Sequence, residues 1–339
     1  MKTPFLEEVD RQPQALLELV KFYRTEGSDR LEEWQKLLEN SDRLVFCGMG
    51  TSEIAPCLIR DRLAESGKTV IVDDAGERLH YLEDPVDSRI LYVLISQSGE
   101  SAETKKLAQR LSGRATLVVL ANDESSSMAR LASLFLPIKA GVERSVSNQT
   151  YVNTLGLLYL MAGGRSEALE RVAGWLARPV AEELVEAAAA WLHPADSLHF
   201  IARGPALAAA RQMALTFMEG AKSHATAFTG GAFRHGPFEV LGPGHRAVVL
   251  APDGKTGGLT SAMALEMAQR GSRVVLITDI EKTPGHENLL RLEVANFGEE
   301  RLFPLAIAQV QNYLLHHVAR LRGYEAGVFR IASKVTTTE

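Results

Sequence analysis

The chain has 339 residues, 46% hydrophobic and 23% charged, with 37 basic against 42 acidic side chains and a net charge of −5. That balance is ordinary for a globular protein, and with the charges scattered along the chain it excludes a basic nucleic-acid footprint or a Lys/Arg patch for a membrane surface. Two cysteines, Cys47 and Cys57, exclude a disulfide scaffold, and no run of about 18 apolar residues suggests a span.

The N-terminus is charged and lacks the apolar centre of a signal peptide, so a soluble, cytoplasmic protein is expected. The nine histidines form no His-x-x-x-His pair and the cysteines no Cys-x-x-Cys pair, so neither a metal nor another cofactor is expected. The length suits two domains of roughly 100–200 residues each.

Taken in chain order, the first 38 residues read as helix. Leu16, Leu17, Leu19, Val20 and Tyr23 make one apolar stripe, Leu31, Trp34, Leu37 and Leu38 another, and Gly27-Ser-Asp29 separates them. This segment is expected to form an N-terminal arm, residues 1–38. Short apolar runs then alternate with helical patterns. Strands are expected at Arg43–Cys47, Thr69–Val72, Arg89–Ile95 and Ala115–Leu120, with a short fifth at Leu134–Ile138. One helix is expected to run from the first turn to about Ala64, and another over Thr104–Leu111.

The second half repeats the plan. Strands are expected at Ser197–Ile201, Arg246–Leu250 and Arg273–Thr278, with helices over Ala206–Phe217 and Leu259–Arg270. The turns after corresponding strands are spaced alike in the two halves, as a duplication would leave them. A helix over Val180–Leu192 is expected to bridge the halves. Strands alternating with helices predict parallel sheets. Strands that are apolar throughout predict sheets covered by helices on both faces. The fold class is therefore α/β, with two tandem flavodoxin-like domains.

Ligands of open α/β sheets bind beyond the carboxyl ends of the strands. Two loops of the first half stand there, Gly48-Met-Gly-Thr-Ser52 and Ser96-Gln-Ser-Gly-Glu-Ser101. The second presents Ser96, Ser98 and Ser101 with Gln97, at the start of a helix. Short hydroxyl donors at a helix N-terminus suit a phosphate monoester. The same residues also cap helices. Three serines exceed the needs of one cap, and Thr51 and Ser52 stand at the matching strand end, which favours the phosphate. Gly48-x-Gly50 lacks the third glycine of a dinucleotide fingerprint. In the second half, Glu219 follows Phe217-Met on a helix, and His235 precedes Gly236-Pro237. A carboxylate and an imidazole are the groups that sugar ring opening and proton abstraction beside a carbonyl recruit. Near the C-terminus Lys334 is either an exposed tail residue or an amine able to form a Schiff base.

Together these segments are identified as those of a member of the sugar-isomerase (SIS) domain family. The chain resembles in particular the isomerase half of glucosamine-6-phosphate synthase. The resemblance runs from Glu7–Pro13 through Gly50-Thr-Ser52, Ser96-Gln-Ser-Gly-Glu-Ser101, Glu219 and His235-Gly-Pro237 to Ala332-Ser-Lys334-Val-Thr. It implies SIS domains at 39–170 and 171–325 and a tail, 326–339, closing the active site. It implies that Gly50, Thr51, Ser52, Ser96, Gln97, Ser98 and Ser101 hold the substrate phosphate. It implies that Glu219 moves a proton between sugar carbons 1 and 2, that His235 opens the ring of a sugar bound by the neighbouring subunit of a homodimer, and that Lys334 forms the Schiff base. Val146, Asn148 and Thr150 border the sugar. The synthase pattern has serine at the position of Asn148 and lysine at that of Thr150. Its N-terminal glutaminase domain, with a leading cysteine, has no counterpart before Cys47.

The expected activity is conversion of glucosamine 6-phosphate to fructose 6-phosphate and ammonia. The alternatives are a deglycase for fructosamine 6-phosphates, an aldose–ketose phosphate isomerase, and a non-catalytic phosphosugar sensor. The first 38 residues are too short and acidic for the DNA-binding module such a sensor usually carries. The only expected partners are a phosphorylated sugar and a second copy of the chain, with no nucleic acid or membrane.

Overall fold

The computed structural model describes residues 2–331, 333, 334, 336 and 338. Three helices come first, α1 (Pro4–Asp10), α2 (Gln12–Arg24) and α3 (Ser28–Glu39). The first strand–helix series is β1 (Arg43–Gly48), α4 (Thr51–Ile54), α5 (Arg60–Glu65), β2 (Thr69–Asp74), α6 (Ala75–Tyr81), β3 (Ile90–Ile95), α7 (Ala102–Leu111), β4 (Thr116–Ala121) and β5 (Leu134–Pro137). Three helices follow, α8 (Gln149–Met161), α9 (Ser166–Leu176) and α10 (Glu182–Leu192). The second series is β6 (Ser197–Ala202), α11 (Leu207–Ala221), β7 (His224–Thr229), α12 (Gly230–Arg234), β8 (Arg246–Ala251), α13 (Gly257–Gln269), β9 (Arg273–Thr278) and β10 (Leu289–Glu293). The helices α14 (Phe303–Ala306) and α15 (Ala308–Leu321) complete it.

The strands form two five-stranded parallel sheets, in the orders β2-β1-β3-β4-β5 and β10-β9-β8-β6-β7. Counted from the first strand of each, both orders read 2-1-3-4-5, the flavodoxin-like arrangement. The expected fold class is the observed one. The chain divides into two compact units. The first-sheet unit comprises Gln14–Glu143, Gln149–Glu170 and Arg330–Glu339. The second-sheet unit comprises Met1–Pro13, Arg144–Asn148 and Arg171–Phe329.

In the first-sheet unit, Val45, Cys47, Tyr92, Leu94, Leu117 and Val119 point to one face, where they pack with Leu107, Ala108 and Leu111 of α7. Their neighbours Leu44, Phe46, Leu91, Val93, Val118 and Leu120 are equally buried. Successive side chains on a strand face opposite ways, so a sheet covered on both sides must be apolar at every position. Helices α2 and α3 are built into this unit. Tyr23 donates its hydroxyl to the carbonyl of Pro137 at 3.0 Å, and the buried Trp34 indole donates to that of Met161 at 2.8 Å. Where one helix was expected after β1, Pro56 lies in a 3₁₀ turn between α4 and α5. Proline lacks the N–H that an α-helix needs there.

In the second-sheet unit the same alternation divides the strands between two cores. Phe200, Val248, Leu250, Val275 and Ile277 pack with α10, α11 and α15, and Ile201, Ala247, Val249, Val274 and Leu276 pack with α13. The helix expected to bridge the halves, α10, packs on α15 and β9 within this unit. Strands β7 and β10 are absent from the sequence-based expectation. Both are edge strands with part-exposed residues, so neither carries the unbroken apolar run that marks a central strand. No helix among the described residues is long and apolar enough to cross a membrane.

Candidate active site

In the first sheet the strand order reverses between β1 and β3, which makes the crevice beyond their carboxyl ends the ligand position of such a sheet. The two hydroxyl-bearing loops leave those two strands. After β1, Gly50 adopts φ 54° and ψ −122°, a conformation that favours glycine, and the amides of Glu53 and Ile54 return to its carbonyl. Gly48 is required for space. A Cβ there would lie 2.7 Å from the carbonyl carbon of Ser52. The two glycines fold the turn back on itself, and Thr51 and Ser52 stand on its half-buried rim.

After β3, Ser96 donates its amide to Leu120 of the neighbouring strand, and its hydroxyl accepts from the amide of Gly99 at 3.2 Å. The Ser98 hydroxyl accepts from the amide of Glu100, also at 3.2 Å. Each hydroxyl thus takes a loop amide on its oxygen, which leaves its own hydrogen available to donate. Gly99, at φ 66°, packs so tightly on Ser126 that a Cβ would meet the serine Oγ at 2.2 Å. The carbonyl of Gln97 accepts from Asn122 and that of Gly99 from Met128, so the 122–128 segment braces the loop.

Ser101 occupies the N-cap of α7, yet its side chain makes no capping bond. Ordinary capping therefore does not account for this hydroxyl, which lies beside the first-turn N–H groups of a helix. Glu100 is turned away from that role. Its carboxylate accepts from the Ser127 amide at 2.6 Å and from Lys105 at 3.1 Å, and the Ser127 amide above all holds it below the usual carboxylate range. The anion-repelling charge of the loop is thereby spent locally.

The C-terminal segment returns to this loop within the same unit. The carbonyl of Thr336 accepts from the amide of Ala102, the first residue of α7, at 3.2 Å. Lys334 is part-buried, and its amine lies 2.7 Å from Oε2 of Glu143, a carboxylate with no exposed surface. The other oxygen of Glu143 accepts from the amide of Thr150 at 3.0 Å, at the start of α8. The Thr150 hydroxyl is buried and has no hydrogen-bond partner among the described residues. Ala332 and Val335 of the tail motif lie outside the described residues.

The other named residues belong to the second-sheet unit. Glu219 lies, half-buried, in the last turn of α11. That helix ends at Lys222, which adopts the left-handed conformation at φ 54° and donates its amine to the carbonyls of Glu219 and Val328. Arg322 donates to the carbonyls of Ala221 and Lys222, a cation at the negative end of the helix dipole. Gly220 lets α11 approach α15, since a Cβ there would already be 3.0 Å from the Leu315 side chain. Glu219 is thus carried on a helix end fixed from several directions.

His235 follows α12 and is exposed. Gly236 at φ 118° and Pro237 at the start of a 3₁₀ turn set the direction of the chain on its far side. Val146 is packed in the apolar core of the unit, and the Asn148 amide donates to Glu8, Ser145 and the carbonyl of Val146. Glu8 holds the whole segment. Its buried carboxylate also accepts from the amides of Arg144 and Ser145 and from the Ser145 hydroxyl. The residues picked from the sequence therefore fall in both units, with the loop hydroxyls, Thr150 and Lys334 in one and Glu219, His235, Val146 and Asn148 in the other. Glu143 is the residue that sequence reasoning missed, although it stands only a few positions before Asn148 and Thr150, where the chain departs from the synthase pattern.

Two flavodoxin-like sheets in one chain, the first with a hydroxyl-lined loop at its switch point, define a tandem α/β protein. The chain belongs to the SIS domain family, whose model matches residues 37–162 and 191–289. It is 31% identical over 273 residues to the glutamine–fructose-6-phosphate aminotransferase (isomerizing) of Thermococcus kodakarensis, a match covering 74% of this chain and 44% of that enzyme. The chain thus spans under half the length of that relative. In structure it is similar to the C-terminal domain of glucosamine-fructose-6-phosphate aminotransferase from Francisella tularensis, with a TM-score of 0.85, 22% identity, and coverage of 96% and 98% of the two chains. It is also similar to the glucosamine-6-phosphate deaminase of Thermotoga maritima, with a TM-score of 0.72, 18% identity, and coverage of 96% and 97%.

Proposed function

We propose that this chain is a phosphosugar isomerase that acts as a deaminase, converting glucosamine 6-phosphate and water to fructose 6-phosphate and ammonia as a cytoplasmic homodimer. The observation that supports this reading most directly is the meeting of tail and loop in the first-sheet unit. The Thr336 carbonyl bonds the first amide of α7, beside Ser101, and Lys334 lies two residues back along the tail. A phosphate held by Ser52, Ser96, Ser98 and Ser101, with Thr51 and the backbone of Gly50 and Gln97, would then lie near an amine able to react with a carbonyl.

In the proposed sequence His235, from the neighbouring subunit, takes the proton of the sugar O1 hydroxyl and returns one to the ring oxygen. This opens the ring to the aldehyde. Glu219 takes the proton from carbon 2 and delivers it to carbon 1, while a proton passes from the amino nitrogen to the O1 oxygen, which leaves an alcohol at carbon 1 and an imine at carbon 2. The Lys334 amine adds to that carbon and ammonia leaves. Water then adds to the lysine imine, and the amine leaves to give fructose 6-phosphate. No electron is gained or lost, so no redox partner is needed.

A coupled assay on glucosamine 6-phosphate tests this. Ammonia and fructose 6-phosphate are expected in equal amounts. If neither forms while the phosphosugar still raises the melting temperature, the deaminase reading is wrong and the phosphate site stands. A second reading is favoured by Thr150, whose short side chain has a buried hydroxyl beside Glu143 with no hydrogen-bond partner among the described residues. A longer amine substituent that reached this hydroxyl would give it a hydrogen-bond partner. In that case an amino acid is released from a 6-phosphorylated fructosamine, and no ammonia appears with glucosamine 6-phosphate.

A further inference from the structure

The pair formed by Glu143 and Lys334 goes beyond anchoring a tail. Glu143 has no exposed side-chain surface, and Lys334 is 20% exposed. One carboxylate oxygen is taken by the Thr150 amide at the N-terminus of α8, a helix of 13 residues whose every position is buried. The amide fixes the orientation of the carboxylate. The second oxygen therefore faces the Lys334 amine, 2.7 Å away, along a charge-assisted hydrogen bond. An amine must be neutral to attack a carbonyl, and a carboxylate in hydrogen-bond contact with it is placed to take its proton.

We infer that Glu143 is the base that activates Lys334, an inference that rests on Lys334 as the imine-forming lysine. With fructose 6-phosphate as the carbonyl partner, the Lys334 ammonium passes one proton to Glu143. The freed nitrogen pair bonds to carbon 2 of the open-chain ketose, and the carbonyl π pair moves to its oxygen. A proton shifts from nitrogen to that oxygen, giving a neutral carbinolamine. Glu143 then returns its proton to the hydroxyl, which leaves as water, and the nitrogen pair closes the protonated imine. Glu143 ends as the carboxylate it began as, and no oxidant or reductant is consumed.

The experiment is borohydride trapping of fructose 6-phosphate on the full chain, read as the rate of label appearing on the Lys334 peptide. Glu143→Gln keeps the shape and the bond to Thr150 but removes the base. It is expected to slow labelling at least about tenfold, with the half-saturating fructose 6-phosphate concentration unchanged. Glu143→Asp should recover part of the rate, and added formate should accelerate Glu143→Ala but leave Glu143→Gln unaffected. If Glu143→Gln does not fold, Glu143→Asp carries the test through slower labelling at unchanged half-saturation. Labelling of the substituted proteins at the native rate overturns the inference and leaves the lysine assignment intact. A native protein that takes no label on Lys334 removes that assignment, and this inference with it.

Discussion

Glu219 is one carboxylate among 42 acidic residues, and its setting is what distinguishes it. It lies in the last turn of α11, followed by Gly220 packed on Leu315 and by Lys222 in a left-handed conformation. A non-glycine residue held there costs of order 1 kcal/mol and persists only where its surroundings demand it. Replacing the carboxylate by its isosteric amide leaves that packing alone and removes only the proposed base. Glu219→Gln is expected to lower turnover of glucosamine 6-phosphate by roughly a thousandfold, with the affinity for the phosphosugar nearly unchanged in calorimetry. Native turnover in this variant would remove Glu219 as the base. Asn148 shows the reverse case. The family resemblance implies a sugar contact for it, and its amide donates to Glu8, Ser145 and the carbonyl of Val146. A motif position indicates which residue stands near a site, and the local hydrogen bonds decide which of its atoms remain to bind anything.

At the scale of elements, the loop after β1 depends on a close approach that no hydrophobic pattern records. A Cβ on Gly48 would meet the backbone of Ser52, which cannot move without opening the first turn of α4. Gly48→Ala is expected to destabilise the fold by about 1–3 kcal/mol and to weaken phosphosugar binding disproportionately. Denaturant unfolding and calorimetry separate the two effects. An unchanged dissociation constant would mean that Ser52 holds no phosphate. The loop after β3 was easier to read, because serines crowd the start of a helix more densely than capping requires. The strands show the same contrast. Central strands buried on two faces carry their own signature, as in Arg246–Ala251, buried at all six positions. Edge strands β7 and β10 do not, since a strand paired on one side and partly wet needs no apolar run.

At the scale of the whole molecule, the proposed reaction calls on His235 from a second copy of the chain. The exposure of His235 in the single chain fits a group that completes a site elsewhere. Subunit mixing examines this directly. His235→Ala and Glu219→Gln homodimers should each be inactive. A re-equilibrated equimolar mixture should regain about a quarter of the native activity, because half the dimers then carry one site with a native Glu219 and a native partner histidine. A mixture that stays inactive would place His235 in its own subunit's site or outside the chemistry.

The sequence by itself determined the class of the fold, the duplication, the positions of the central strands along the chain and the two loops at the first switch point. All of these are written in local periodicity, in turn residues and in the crowding of hydroxyls at a helix start. Only the tertiary structure decided that α2 and α3 are built into the first-sheet unit, that Val146 is packed away and the Asn148 amide committed, and that Glu143 meets Lys334 across 191 residues of chain. The physical reason is the same in each case. Burial and ion pairing depend on which groups a finished fold brings within a few ångströms, and residues far apart in sequence carry no local mark of one another.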